Sequence, residues 1–206
     1  MKIKSLCVYC GSSPGSNPLY EARAYSFGQL LAERGIRVIY GGGSVGLMGA
    51  VANGALSKSG QVIGIMPARL IEKEVQHRGL TKLYSVISMH DRKMKMADLA
   101  DGFVALPGGV GTLEEILEVF TWTQLSFHEK PCGLLNIERF YTPLVDFLSR
   151  VVDQRFMKPE HLSSLLIEED EAVLLSRLES YKHVSVDKWI DKRKRASHSE
   201  TQTADA

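Results

Sequence analysis

Short apolar runs at residues 3–10, 36–40, 61–66, 83–88, 102–106 and 132–136 are separated by longer segments in which apolar residues recur at helical spacing. Most of the runs are continuous rather than alternating, the pattern of strands buried on both faces. Such strands, each followed by a crossover helix, define an α/β fold: a doubly wound, mainly parallel sheet with right-handed connections and helices on both faces. The first helix shows the local logic. Asn17 can cap it, Pro18 suits its first turn, Tyr20, Ala24, Phe27 and Leu31 share one face, and Gly35 ends it. Similar helices are expected over 46–59, 91–100, 112–128 and 139–153. The last fifty residues show helical pieces near 159–164 and 168–181 and no convincing strand, so they are expected to pack on the flank of the sheet.

The chain has 206 residues, 44% hydrophobic and 24% charged, which excludes disorder along most of its length. It reads as one domain over 1–186, followed over 187–206 by a basic and then polar tail that is expected to be disordered and carries the charge run Lys192-Arg193-Lys194-Arg195. With 25 basic and 24 acidic side chains the net charge is +1, which offers no general field for nucleic acid or a membrane surface. An anion must therefore be held by a local site. No apolar stretch approaches the roughly 18 residues of a membrane span, and the N-terminal run is too short for a signal peptide. Cys7, Cys10 and Cys132 do not form the framework of a small secreted protein, and a reducing, cytoplasmic setting is expected. Cys7 and Cys10 lie three apart on a strand and face opposite sides, so neither a metal nor a redox role is expected of them.

In an open α/β sheet ligands bind beyond the carboxyl ends of the strands, so the loops there carry the functional information. Three are unusual: Cys10-Gly11-Ser12-Ser13-Pro14-Gly15-Ser16, Gly41-Gly42-Gly43-Ser44-Val45-Gly46-Leu47-Met48-Gly49, and Pro107-Gly108-Gly109-Val110-Gly111-Thr112-Leu113-Glu114-Glu115. Glycines between a strand and a helix let backbone amides approach a phosphate at the positive end of the helix. Two such loops in one small domain favour a phosphorylated small-molecule ligand. Gly41-x-Gly43-x-x-Gly46 also matches a dinucleotide fingerprint, but it follows the second strand. The next strand ends Ile65-Met66-Pro67-Ala68-Arg69, without a carboxylate for a ribose hydroxyl. Neither loop has the Gly-Lys-Ser/Thr ending of an ATP-hydrolysing loop.

Asp91 reads as a helix cap, which puts Arg92 and Lys93 in the first turn, where the helix dipole disfavours cations unless they face an anion. His90 reads as a packed side chain and the methionines nearby as core. Thr112 and Glu115 have capping-box spacing, and Glu114 in the same turn suits the dipole, so each acid has a structural explanation. Acids beside a phosphate site cost affinity for the anion itself, and they suggest chemistry on the attached sugar. Thr121, seven residues after Glu114, shares its helical face.

The Pro107–Glu115 stretch resembles the P-G-G-x-G-T-x-x-E signature of the lonely-guy family of cytokinin riboside 5′-monophosphate phosphoribohydrolases, often mislabelled lysine decarboxylases. Met89-His90-Asp91-Arg92-Lys93, the Gly41–Gly49 loop and Cys10-Gly11-Ser12-Ser13 are similar to that family's other segments, in order, so the resemblance spans about residues 2–180. It implies a Rossmann-like fold and a homodimer with active sites near the subunit interface. The implied reaction is hydrolysis of an adenine-type nucleoside 5′-monophosphate to free base and ribose 5-phosphate, with no cofactor. By motif position it implies Arg92 and Glu115 as the catalytic pair. Glu74, Arg92, Lys93, Gly108, Gly109, Val110, Gly111, Thr112, Leu113, Glu114 and Thr121 are implied as nucleotide contacts. A non-catalytic nucleotide sensor or carrier on the same fold is the alternative, and intact Arg92 and Glu115 argue against it.

Overall fold

The structure is a computed structural model that describes residues 2–71 and 76–183. Among the described residues seven strands form one sheet: β1 (Ser5–Tyr9), β2 (Arg37–Tyr40), β3 (Val62–Pro67), β4 (Lys82–Val86), β5 (Gly102–Ala105), β6 (Cys132–Leu135) and β7 (Leu165–Glu168). Their order is β4-β3-β2-β1-β5-β6-β7, and every pairing is parallel. The continuous apolar runs are buried as expected: β1, β3, β5 and β6 are buried at every position.

The helices are α1 (Pro18–Glu33), α2 (Gly46–Ser57), α3 (Ala68–Ile71), α4 (Met89–Leu99), α5 (Val110–Gln124), α6 (Thr142–Asp153), α7 (Pro159–Ser163) and α8 (Glu171–Ser180). Side-chain alternation along β1 divides the core in two. Leu6, Val8 and Cys10 join Phe27, Leu31, Val51 and Leu174 from α1, α2 and α8. Cys7 and Tyr9 join Met96, Ile116, Val119, Phe120 and Leu148 from α4, α5 and α6. The two cysteines thus face opposite layers, and all three cysteines are free and buried. The tightest helix contact is α1 against α2, where glycines replace side chains: a Cβ on Gly28 would stand 2.2 Å from the Val51 carbonyl oxygen, and one on Gly54 2.0 Å from that of Tyr25.

The expected start of α1 holds. Asn17 Oδ1 accepts from the Leu19 amide at 3.0 Å, Pro18 is the first helical residue, and Gly35 leaves the helix at φ +68°. Three expectations are corrected. The last fifty residues do contain a strand: β7 has only four residues and is defined by pairing with β6, Cys132 opposite Leu165 through Leu135 opposite Glu168. Helix α4 is capped by Ser88, not Asp91. Ser88 Oγ accepts from the Asp91 amide at 3.1 Å and the Asp91 carboxylate accepts from the Ser88 amide at 3.0 Å, a reciprocal capping box. Arg92 and Lys93 are consequently the fourth and fifth helical residues, at the edge of the dipole's reach. Helix α5 begins at Val110 after Gly109, with no side-chain cap, so Thr112 and Glu115 are interior positions and not a capping box. The expectations for Glu74 and for the tail from 187 fall outside the described residues.

Strands β1 to β4 progress in one direction from the centre and β5 to β7 in the other, so the order reverses between β1 and β5. The loops leaving those two strands separate there and open a crevice, the place where doubly wound sheets take ligands.

Candidate active site

A well of about 250 Å³ occupies that crevice on the α4–α5 side, with Tyr9, Cys10, Gly41, Met48, Met89, Arg92, Met96, Gly109, Gly111, Thr112, Glu114 and Glu115 among its lining. On the α1 side lies a second well of about 280 Å³, lined by Ser12, Ser13, Pro14, Tyr20, Leu47, Pro107 and Phe140. The two share Gly11, Ser12 and Gly109.

The start of α5 forms one wall. The first helical hydrogen bond runs from the Leu113 amide to the Gly109 carbonyl at 3.1 Å. That leaves the amides of Val110, Gly111 and Thr112, unsatisfied by the helix itself, at its positive end. Among the described residues nothing lies within 4 Å of where a Cβ on Gly109 or Gly111 would stand, and neither has a positive φ. Neither packing nor backbone conformation requires glycine there, and the open side faces the well. Gly108 differs: its Cβ would stand 2.2 Å from Thr112 Oγ1 and 2.9 Å from the Gly11 nitrogen. It is the close approach that lets the β1 and β5 loops meet, with the Gly11 amide donating to the Pro107 carbonyl at 3.0 Å.

Opposite stands Arg92 from α4. Its Nε donates to the Ile65 carbonyl at 3.2 Å, and its Nη1 lies 3.5 Å from Glu115 Oε1. Both side chains are nearly enclosed, 14% and 12% exposed. Burial raises the Glu115 carboxyl above its ordinary range, and the Arg92 charge opposes that rise. Lys93, expected to face a bound anion, is held by two acids instead. Its Nζ is 2.6 Å from Glu114 Oε1 and 3.0 Å from Glu118 Oε2, and the bond to Glu114 raises its pKa. Adjacent cations of α4 therefore meet acids of α5 in register, one pair inside the well and one on its flank.

Thr121 lies elsewhere. Its hydroxyl donates to the Leu117 carbonyl at 2.7 Å, and it lines a separate groove with Leu117, Phe120, Leu148, Val152 and Phe156. Two turns of α5 carry it about 10 Å along the axis from Glu114. Leu113 packs against the core on the α5 side, and His90 is exposed rather than packed. Met94 is exposed, whereas Met96 is core and also borders the well. Sequence reasoning missed Tyr9, Met48 and Met89 as lining and Glu118 as a partner of Lys93. Met89 and Met96 stand three before and four after Arg92, a spacing that puts all three on one helical face. Among the described residues no group of three His, Cys, Asp or Glu side chains is placed to hold a metal ion, and no helix is long and apolar enough to cross a membrane.

The all-parallel sheet, with its strand order reversing over a glycine-rich helix start, defines a Rossmann-type protein with a crevice at that reversal. The chain belongs to the family of cytokinin riboside 5′-monophosphate phosphoribohydrolases. It is 43% identical over 180 residues to the LOG7 enzyme of Arabidopsis thaliana, covering 87% of this chain and 83% of that one. It is 42% identical over 184 residues to LOG5 of the same plant, covering 89% and 81%, and 42% identical over 180 residues to LOG of Oryza sativa subsp. japonica, covering 87% and 74%. A family model described as "possible lysine decarboxylase" matches residues 48–178. Among solved structures, the molybdenum cofactor binding protein of Rippkaea orientalis superposes with a TM-score of 0.65 at 23% identity, over 87% of this chain and 98% of that one. The molybdenum cofactor carrier protein of Chlamydomonas reinhardtii gives 0.65 at 18% identity, over 87% and 100%; these likenesses show the shared fold.

Proposed function

We propose that this protein hydrolyses the N-glycosidic bond of adenine-type nucleoside 5′-monophosphates, cytokinin nucleotides among them, releasing free base and ribose 5-phosphate. The observation that carries the reading is the position of Glu115: a buried carboxylate paired with Arg92, one helical turn beyond the open amides of Val110, Gly111 and Thr112. The amides, with the Thr112 hydroxyl, take the 5′-phosphate, and this remote contact fixes the ribose against the acid. Bond cleavage moves the electron pair to the base nitrogen and leaves positive charge on the ribose. Glu115 stabilises that charge, accepts a proton from the water that adds to the anomeric carbon, and passes that proton to the departing base nitrogen, so the base leaves neutral and the carboxylate is restored. Arg92 faces the departing base and favours the ionised form of Glu115. The thioethers of Met48, Met89 and Met96 supply polarizable wall for a planar base.

A lysine decarboxylase reading gains no support from the site. No lysine is among the described residues lining the well, and Lys93 is held between Glu114 and Glu118. In the reading proposed here Glu114 and Lys93 frame the nucleotide, Gly108, Gly109, Val110, Gly111 and Thr112 build its phosphate seat, Leu113 anchors that turn to the core behind it, and the work takes place in the cytoplasm, where the free thiols stay reduced.

The working unit in this reading is a homodimer joined through the α5–α6–α7 face. Its support is the groove holding Thr121 and the exposure of Phe147 and Phe156, 61% and 86%, on that side of the molecule. Thr121 then serves the well of the second copy rather than its own. Light scattering should give about twice the 22.8 kDa chain mass, and Phe156→Asp should give the monomer.

The reaction is tested by incubating the protein with AMP, N6-isopentenyladenosine monophosphate and the two dephosphorylated nucleosides, with chromatography of the released base. Release from the monophosphates alone is expected. Equal release from the nucleosides would overturn the phosphate site, and no release with retained nucleotide binding would leave a carrier or sensor.

A further inference from the structure

Of the glycine loops, the one after β2 was expected to cradle phosphate, yet only Gly41 of its nine residues other than Met48 reaches the well. Its small residues make room for protein atoms. A Cβ on Gly43 would stand 2.8 Å from Met48 Cε, one on Gly46 2.4 Å from the Ser12 carbonyl carbon, and one on Gly49 2.1 Å from the Ser44 carbonyl oxygen. At Gly41 the occupant is the guanidinium of Arg92. A Cβ there would stand 2.3 Å from Nη2, 3.4 Å from Cζ and 3.2 Å from Met48 Sδ. Gly41 is buried and is not among the glycines with positive φ, so its backbone conformation is open to any residue. What requires glycine at 41 is the space that Arg92 fills.

That space completes a three-sided seat. Nε is held by the Ile65 carbonyl at the end of β3, Nη1 is turned toward Glu115 on α5, and Nη2 lies over Gly41 at the end of β2. We infer that Gly41 is a positioning residue for the reaction: its missing side chain seats the Arg92 guanidinium against Glu115, and the β2 loop serves the catalytic pair rather than the phosphate. The inference rests on the reading of Arg92 as a group of the reaction. A methyl group at 41 displaces the guanidinium tip, the movable end of a long side chain, so the fold tolerates the change while the pair loses its geometry.

The test is a double-mutant cycle on the full chain with Gly41→Ala, Arg92→Ala and the combination, assayed with AMP and adenosine and checked by thermal melting. Gly41→Ala should lower kcat about 100-fold, the scale of a misplacement near 1 Å, with KM for AMP within about threefold of wild type and the preference for AMP over adenosine retained. The double variant should be no slower than Arg92→Ala alone, because the two changes remove the same arrangement. A raised KM with lost preference for AMP would assign the loop to the phosphate and overturn the inference. So would wild-type kcat in Gly41→Ala, or a double variant slower than Arg92→Ala by the full factor of the Gly41 change. Wild-type activity in Arg92→Ala would overturn the reading of Arg92 itself, and an impaired Gly41→Ala beside it would show that Gly41 acts through another group. Should Gly41→Ala fail to fold, the double variant, which removes the obstructed side chain, should fold; its failure would also overturn the inference.

Discussion

Glu115 concentrates the chemistry at the scale of single residues. Glu115→Gln keeps the volume and removes the charge, so nucleotide binding should persist while kcat falls by about 10²–10⁴, measured by calorimetry beside the base-release assay. Because burial raises its pKa, the acid limb of kcat/KM should lie above the ordinary carboxylate range: the ionised form is needed, and activity is lost as pH falls through the raised value. The groups that face Glu115 set where that limb falls. Arg92 and Lys93 on α4 lower its pKa, and Glu114 and Glu118 on α5 raise it. Glu118→Gln removes one of the raising charges and should move the limb to lower pH; an unmoved limb, or one moved upward, would contradict this electrostatic account. The acids and cations were visible as residue types, but their pairing was not, because spacing along one helix says nothing about which neighbour stands across from it.

Capping decides how the elements present these groups. The Ser88–Asp91 box fastens the first turn of α4, immediately before Arg92. Ser88→Ala removes the side chain that accepts the Asp91 amide and should cost about 1 kcal/mol. For a chain of this size that is a fall in Tm of about 2–4 °C, readable by calorimetry. Helix α5 takes the opposite course: its uncapped start leaves amides open to a ligand, at the expense of the stability a cap would add. Strands and helix bodies were legible because buried parallel strands read as unbroken apolar runs and helices repeat their apolar face. The starts of α4 and α5 were misread, since Ser88–Asp91 and Thr112–Glu115 both have capping spacing and only the path of the entering backbone distinguishes them. Four-residue β7 carries no sequence pattern of its own and becomes a strand by lying beside β6.

At the scale of the whole molecule, stability depends on groups far from the site. His128 is packed near Phe103 and Trp122, its Nδ1 accepts the Lys130 amide at 3.1 Å, and its buried Nε2 has no hydrogen-bond partner among the described residues. Burial lowers its pKa from 6.5 to about 4. The unfolded chain therefore binds this proton between those values while the folded one does not, and stability is lost as pH falls from about 6.5 toward 4. The urea midpoint should drop across that window, and His128→Gln, which keeps an acceptor for the Lys130 amide and does not titrate, should flatten the drop. The α/β class, most strands, the three ligand-end loops and the family resemblance are all written in local periodicity or contiguous motifs, and could be read from the chain alone. Packing in three dimensions was needed to show that Arg92 meets Glu115 while Lys93 meets Glu114 and Glu118, that Gly41 leaves room for the guanidinium, and that Thr121 stands outside the well. Those facts depend on strand order and helix register, which bring residues distant in the chain to within a few ångströms, and no local pattern encodes that distance.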